Sequence, residues 1–153
     1  MKFILMLILS LSFESVNAQN NSELIGTWKL VSFWDNEVYF NVETDSSYLT
    51  HEMLVTYPDT TDQKKYITQA KTIYGAFNFR FENDSILLVF MDTVFMLKAH
   101  YKIDKVNGVF EMTTPNSLGQ DITDKFEYTF TENLLILSMK LEDKICKFGL
   151  RKN

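Results

Sequence analysis

The chain of 153 residues carries 15 Lys and Arg against 20 Asp and Glu, which gives a formal net charge of −5 at pH 7. The basic residues are scattered, with Lys64-Lys65 and Arg151-Lys152 as the doublets, so no basic stripe is present to bind a nucleic acid or an anionic membrane surface. With 46% hydrophobic residues, 13 Phe and 1 Cys, we expect one domain that is stabilised by apolar packing without an internal disulfide.

The first residues have the three-part pattern of a secretory signal peptide. Met1-Lys2 is a short positive start, an apolar run extends from Phe3 to Phe13, and Val16-Asn17-Ala18 places small residues before a cleavage point. We therefore expect residues 1–18 to be a signal peptide and residues 19–153 to be the mature domain. A signal-anchor is the competing interpretation. Because no later apolar segment is long enough to cross a membrane, the mature protein is expected in the periplasm or outside the cell.

The mature chain alternates apolar and polar residues with period two, which is typical of β-strands. Short clusters of turn residues interrupt the pattern, and Asn107-Gly108 is the strongest hairpin signal. The segment before residue 47 is compatible with a short strand at 38–42, and a loop is expected at 114–123. Strands or extended segments are predicted at residues 27–34, 47–57, 64–82, 86–91, 94–103, 109–112, 125–130, 135–141 and 146–150.

Eight or nine strands with hairpin-length connections predict an all-β domain. The predicted architecture is a single antiparallel up-and-down β-barrel, because a closed sheet leaves no unpaired edge. A two-sheet sandwich is the alternative. The strand at 86–91 is apolar on both faces, so its outer face needs a cover: the segment 35–46, a short helix near 60–70, or another chain.

The inward rows of these strands are rich in aromatic and aliphatic side chains, which suits a lumen that accepts an apolar guest, although the same side chains could fill the barrel. Ser32, His51 and Tyr101 are the polar candidates for orienting a guest. The predicted lumen lining consists of His51, Met53, Phe77, Phe79, Phe95, Leu97, Tyr101, Phe110, Phe126 and Tyr128.

The histidines and the cysteine give little support for metal or redox chemistry. A hydrogen-bonded core histidine is the simpler interpretation of His51, and His100 falls on an outward row. No spacing of His, Cys, Asp and Glu is typical of a metal site, so neither a metal nor a cofactor is expected. Cys146 is expected to be a small buried hydrophobe.

Two motifs at opposite ends of the mature chain carry a family resemblance. Gly26-Thr27-Trp28-Lys29-Leu30 opens the first strand, and Leu150-Arg151 ends the last one. This pair resembles the lipocalin superfamily, and in particular the short lipocalin-like proteins that bacteria export. The resemblance covers residues 24–152. It implies that the indole of Trp28 crosses one end of the barrel, that Arg151 lies over this ring, and that Gly26, Trp28 and Arg151 close the barrel. It transfers no ligand-binding residue.

Together these features predict a secreted, monomeric barrel that binds or carries a small apolar or amphipathic molecule in its lumen, without covalent chemistry. The first alternative is a solidly packed barrel that acts as an envelope or protein-interaction module. The second is a barrel enzyme, an isomerase or hydrolase. The sequence has no Gly-x-Ser-x-Gly motif, no glycine-rich phosphate loop and no paired inward carboxylates, so no catalytic residue is assigned. A connected void, a solid interior or converging titratable groups would distinguish the three classes.

Overall fold

A computed structural model describes residues 23–141 and 144–153, so the predicted signal peptide and the predicted turn at Glu142-Asp143 lie outside the described residues. Two helices, α1 (His51–Thr56) and α2 (Thr60–Gly75), follow the third strand. The ten strands are β1 (Gly26–Trp34), β2 (Val38–Asn41), β3 (Ser46–Leu49), β4 (Phe77–Phe81), β5 (Ile86–Met91), β6 (Val94–Asp104), β7 (Val109–Pro115), β8 (Asp121–Thr131), β9 (Leu134–Leu141) and β10 (Lys144–Lys152).

Eight of these strands form a closed antiparallel barrel. Strands β4 to β10 pair in chain order, β1 pairs with β4, and β10 pairs with β1 to complete the ring. The prediction of an all-β antiparallel barrel is therefore confirmed. The β2–β3 hairpin is an addition to the ring, and it extends the sheet from the second half of β1.

Strand β1 holds the barrel together because it has different partners along its length. Its first half pairs with β4 and its second half with β2, while β10 pairs along nearly all of it, from Trp28 opposite Lys152 to Trp34 opposite Lys147. A β-bulge at Val31 interrupts this last ladder. A bulge reverses the side-chain alternation beyond it. Phe33 therefore packs in the core, on the side where the alternation predicted Ser32.

Two extended segments were predicted wrongly, at residues 47–57 and 64–82. The first contains the short strand β3 and then α1, and the second is mostly α2 followed by β4. Helix α2 starts at a standard cap, since the Asp59 carboxylate accepts hydrogen bonds from the backbone N–H groups of Thr61 and Asp62. Tyr66, Ala70 and Tyr74 recur every four residues on its inner face, which packs against the core.

The core runs the whole length of the barrel. Three of its largest fully buried side chains are aromatic rings near one end, where Phe81 makes edge-to-face contacts with Trp28 and Phe110, at ring-centroid distances of 6.3 and 6.2 Å. Tyr101 stacks on Phe110 at 5.5 Å. Edge-to-face and offset-stacked pairs are favourable arrangements of aromatic quadrupoles, so this end is a rigid base for the strands.

The outer face of β5 is covered by its neighbouring strands. Leu88 is 9% exposed and lies between Arg80 of β4 and Lys98 of β6 in the register. Long basic side chains can cover apolar surface with their methylene stems. Helix α2 packs against β1, β2 and β3. Among the described residues, no helix has the length and apolar character to span a membrane.

Candidate functional site

Two adjoining apolar voids, both partly open to solvent, occupy the barrel lumen. One has a volume of about 200 Å³ and the other about 210 Å³. Phe79, Met112 and Phe148 line both voids, so they form the boundary between them. The first void is also lined by Phe81, Leu87, Phe110, Asp124, Phe126, Leu137, Met139 and Leu150, and the second by Leu30, Tyr74, Phe77, Val89 and Leu97.

The lining has almost no polar surface. Asp124 on β8 contributes the carboxylate of the first void. It faces inward because it lies two residues before the buried Phe126, and alternate residues of a strand share a face. The ring of Tyr74, at the end of α2, lines the second void, and burial raises the pKa of its hydroxyl. The lumen therefore suits an apolar chain, and Asp124 is its polar lining residue in the first void.

The end of the barrel near the start of β1 is closed by Trp28. This side chain is fully buried, and its indole N–H donates a hydrogen bond of 2.7 Å to the carbonyl of Leu24. Phe130 packs against the indole at a ring-centroid distance of 5.9 Å. Trp28 of the Gly-x-Trp motif is therefore buried inside this end of the barrel.

The cation over the Trp28 ring is Lys152, so the implied position of Arg151 is wrong. The Lys152 Nζ lies 5.6 Å from the ring centroid and donates a hydrogen bond of 2.7 Å to the carbonyl of Glu23. Arg151 points to the opposite face because neighbouring residues of a strand alternate. Its guanidinium donates two hydrogen bonds of 2.9 and 2.8 Å to the Glu43 carboxylate, which lower the pKa of Glu43.

The other end of the barrel is partly covered by α2. Tyr74 stacks on Phe33 of β1 at a ring-centroid distance of 4.0 Å, and Phe33 also packs against Phe148 of β10 at 5.4 Å. The hydroxyl of Tyr66 donates a hydrogen bond of 2.7 Å to Glu37. Burial, followed by this carboxylate, raises the pKa of Tyr66. These contacts fix α2 over the β1 side of the opening.

Half of the predicted lumen residues line the voids. These are Phe77, Phe79, Leu97, Phe110 and Phe126.

Three predicted lumen residues lie elsewhere because local structure changes their direction. His51 and Met53 belong to α1, where a period of 3.6 replaces the period of two, so His51 is exposed and Met53 packs against the outside of the core. Phe95 is 55% exposed. A bulge in β6 shifts the register so that Phe95 lies opposite Phe90, and their rings pack at 5.9 Å.

The other polar candidates are engaged outside the voids. Tyr101 is buried as predicted, but its hydroxyl donates a hydrogen bond of 2.7 Å to the carbonyl of Asn83 in a turn. Tyr128 lines a separate pocket of about 240 Å³ beside Leu24, at the Trp28 end. Ser32 lies on the face opposite to Phe33 because of the bulge at Val31. None of these three side chains lines either void.

Asp124 and Tyr74 are the polar lumen residues that sequence reasoning missed. Asp124 has the same parity as the predicted inward residue Phe126, so the alternation of β8 contained the signal. Tyr74 could be placed only after recognising α2, because its direction depends on helical spacing. Burial raises the pKa of the half-buried Cys146, which disfavours the thiolate. Among the described residues, no three His, Cys, Asp or Glu side chains are placed to hold a metal ion.

Comparison with known proteins supports the fold. No protein-family model and no curated protein matches the sequence. A crystal structure of a DUF4847 family protein from Bacteroides vulgatus ATCC 8482 is similar, with a TM-score of 0.52 and 18% sequence identity over 85% of this chain and 95% of that chain. At this identity the similarity shows a shared architecture.

Proposed function

We propose that this protein is an exported, lipocalin-like barrel that binds a small apolar or amphipathic molecule in its lumen, and that it carries the molecule without transforming it. The observation that carries the proposal is the pair of adjoining voids, of about 200 and 210 Å³, inside a closed barrel. Ligand sites are typically mostly apolar concavities with few polar groups, and barrels are a common place for them.

The lining supports this proposal over the two alternatives. A solidly packed interaction module would gain stability by filling these voids, because each unfilled cavity in a core costs free energy. A barrel enzyme would need converging titratable groups, whereas the first void is lined by one carboxylate, that of Asp124, among aromatic and aliphatic side chains.

Native mass spectrometry of the purified protein, before and after titration with single-chain lipids, tests the proposal. We expect a co-purifying or added molecule to bind with one-to-one stoichiometry. A protein that retains its fold but shows no mass shift with any added lipid or amphiphile would contradict carriage.

A blocking substitution locates the binding. Met112 borders both voids, so Met112→Trp should fill the space between them and reduce ligand affinity at least about tenfold. Met96→Trp is the matched control, since Met96 is 48% exposed near the start of β6. Circular dichroism and thermal unfolding would show that both variants fold. Equal affinity of the two variants would place the ligand outside the lumen.

A further inference from the structure

The barrel wall is split between β8 and β9. The ladder joins these strands only from Glu127 opposite Ser138 to Thr131 opposite Leu134. The first part of β8, from Asp121 to Phe126, pairs with β7 but has no partner in β9, although β9 continues to Leu141 and pairs there with β10. The two strands therefore separate towards the end of the barrel that α2 partly covers.

Like charges disfavour a continuation of this ladder. Continuing the register beyond Glu127 and Ser138 would place Lys125 opposite Lys140 on the outer face. Like charges directly opposite each other destabilise strand pairing. The Lys125 Nζ instead lies 2.8 Å from the Glu111 carboxylate of β7, on its other side. The two lysines consequently occupy the two lips of the slot.

The slot lies between the lumen and a groove on the outer surface. This groove has a volume of about 290 Å³, and Lys125, Lys140 and Phe126 are among its lining residues. Phe126 also lines the first void, so this residue lies between the lumen and the groove. Met139, the inward residue next to Lys140 on β9, lines the same void.

We propose that this slot is a lateral portal, and that it binds a single-chain amphiphile with an anionic head, the chain lying in the lumen and the head between Lys125 and Lys140. Both lysines line the groove, so their positive charges attract an anion there. An anionic head is disfavoured inside the lumen by the carboxylate of Asp124 and further along the groove by the carboxylate of Glu127. The inference rests on the proposed lumen function, which the native mass spectrometry tests separately.

Crosslinking the lips tests the portal. Lys125→Cys with Lys140→Cys, in a Cys146→Ala background, would be bridged with dibromobimane and the bridge verified by mass spectrometry. Stopped-flow fluorescence with dansyl-undecanoic acid then measures uptake. We expect the bridge to slow association about tenfold or more relative to the same unbridged variant. A bridge between Thr129→Cys and Ile136→Cys, where the same strands already pair, should leave the association rate within about twofold of that of its own unbridged variant.

Unchanged uptake by the bridged slot variant would refute the portal and leave the proposed function intact, provided that the probe still binds in the lumen. Failure of the unmodified protein to bind any amphiphile would refute the proposed function and this inference together.

A charge comparison tests the head group. Lys140→Gln should weaken binding of dodecanoate about five- to tenfold and leave binding of dodecanol unchanged. Lys29→Gln is the matched control, because Lys29 is an exposed lysine on β1. A loss that is the same for both molecules, or no loss for dodecanoate, would overturn the anionic-head assignment.

Discussion

Replacing Lys152 with Met should destabilise the barrel more than replacing Arg151 with Gln, the reverse of what the family resemblance implied. Lys152→Met keeps the length of the side chain but removes the cation that lies 5.6 Å from the Trp28 ring centroid and donates to the Glu23 carbonyl. A cation–π contact contributes about 1 kcal/mol when partly exposed, and a hydrogen bond from a charged group about the same or somewhat more. The expected loss is about 2 kcal/mol.

The assay is urea denaturation followed by Trp fluorescence, with thermal unfolding as a second probe. For a domain of this size, 1 kcal/mol corresponds to a change in Tm of about 4 °C. Arg151→Gln removes an exposed ion pair with Glu43, and such pairs contribute little. A double-mutant cycle with Trp28→Phe isolates the coupling between the ring and the ammonium group. If Arg151→Gln proves the more destabilising change, or if Lys152 and Trp28 show no coupling, the reasoning about this end of the barrel is refuted.

Two further predictions concern backbone strain and alkaline stability. Gly26→Ala should lower the free energy of unfolding, measured by urea denaturation, by about 1–3 kcal/mol. The reason is that Gly26 has a φ of 127° and that a Cβ would lie 3.2 Å from Lys152 Cε. An unchanged free energy of unfolding would contradict this reasoning. Burial raises the pKa of Tyr101 to about 12, above its unfolded value near 10. The folded state therefore binds the phenolic proton of Tyr101 more tightly than the unfolded state does. The resulting contribution to the free energy of unfolding is complete below pH 10 and is lost as the pH rises towards 12. Between pH 9 and 11 we expect the free energy of unfolding to fall by about 1 kcal/mol more in the wild-type protein than in Tyr101→Phe. An equal decrease in the two proteins would show that Tyr101 does not cause the loss of stability.

The strands from β5 to β10 could be located from the sequence because their residues alternate with period two and turn residues separate them, although β7 and β8 extend into the loop predicted at 114–123. Ile86–Met91 was predicted with its observed bounds, and the Asn107-Gly108 turn joins β6 to β7. In these hairpins each strand pairs with its neighbour in the chain, so local pattern and final fold agree. Five of the lumen-lining residues follow directly from the same alternation.

The errors lie where local rules compete. The stretch at residues 64–82 is rich in β-branched and aromatic residues, which favoured extended structure. The Asp59 cap and the four-residue spacing of Tyr66, Ala70 and Tyr74 favoured a helix, and packing of that face against β1 to β3 decided between them. The bulges at Val31 and in β6 could not be predicted from the alternation of apolar and polar residues. One extra residue in a strand leaves the composition unchanged, but it moves the side chains beyond it to the opposite faces of the sheet.

Composition and alternation by themselves determined that this chain is an all-β domain with an aromatic interior, since the two faces of each strand differ in polarity wherever one of them is buried. Only the tertiary structure decided which cation covers Trp28, that the interior contains two voids, and that the wall is split between β8 and β9. These features depend on the register between strands distant in sequence and on the volumes of side chains that meet across the barrel. A shift of one position moves a side chain to the opposite face.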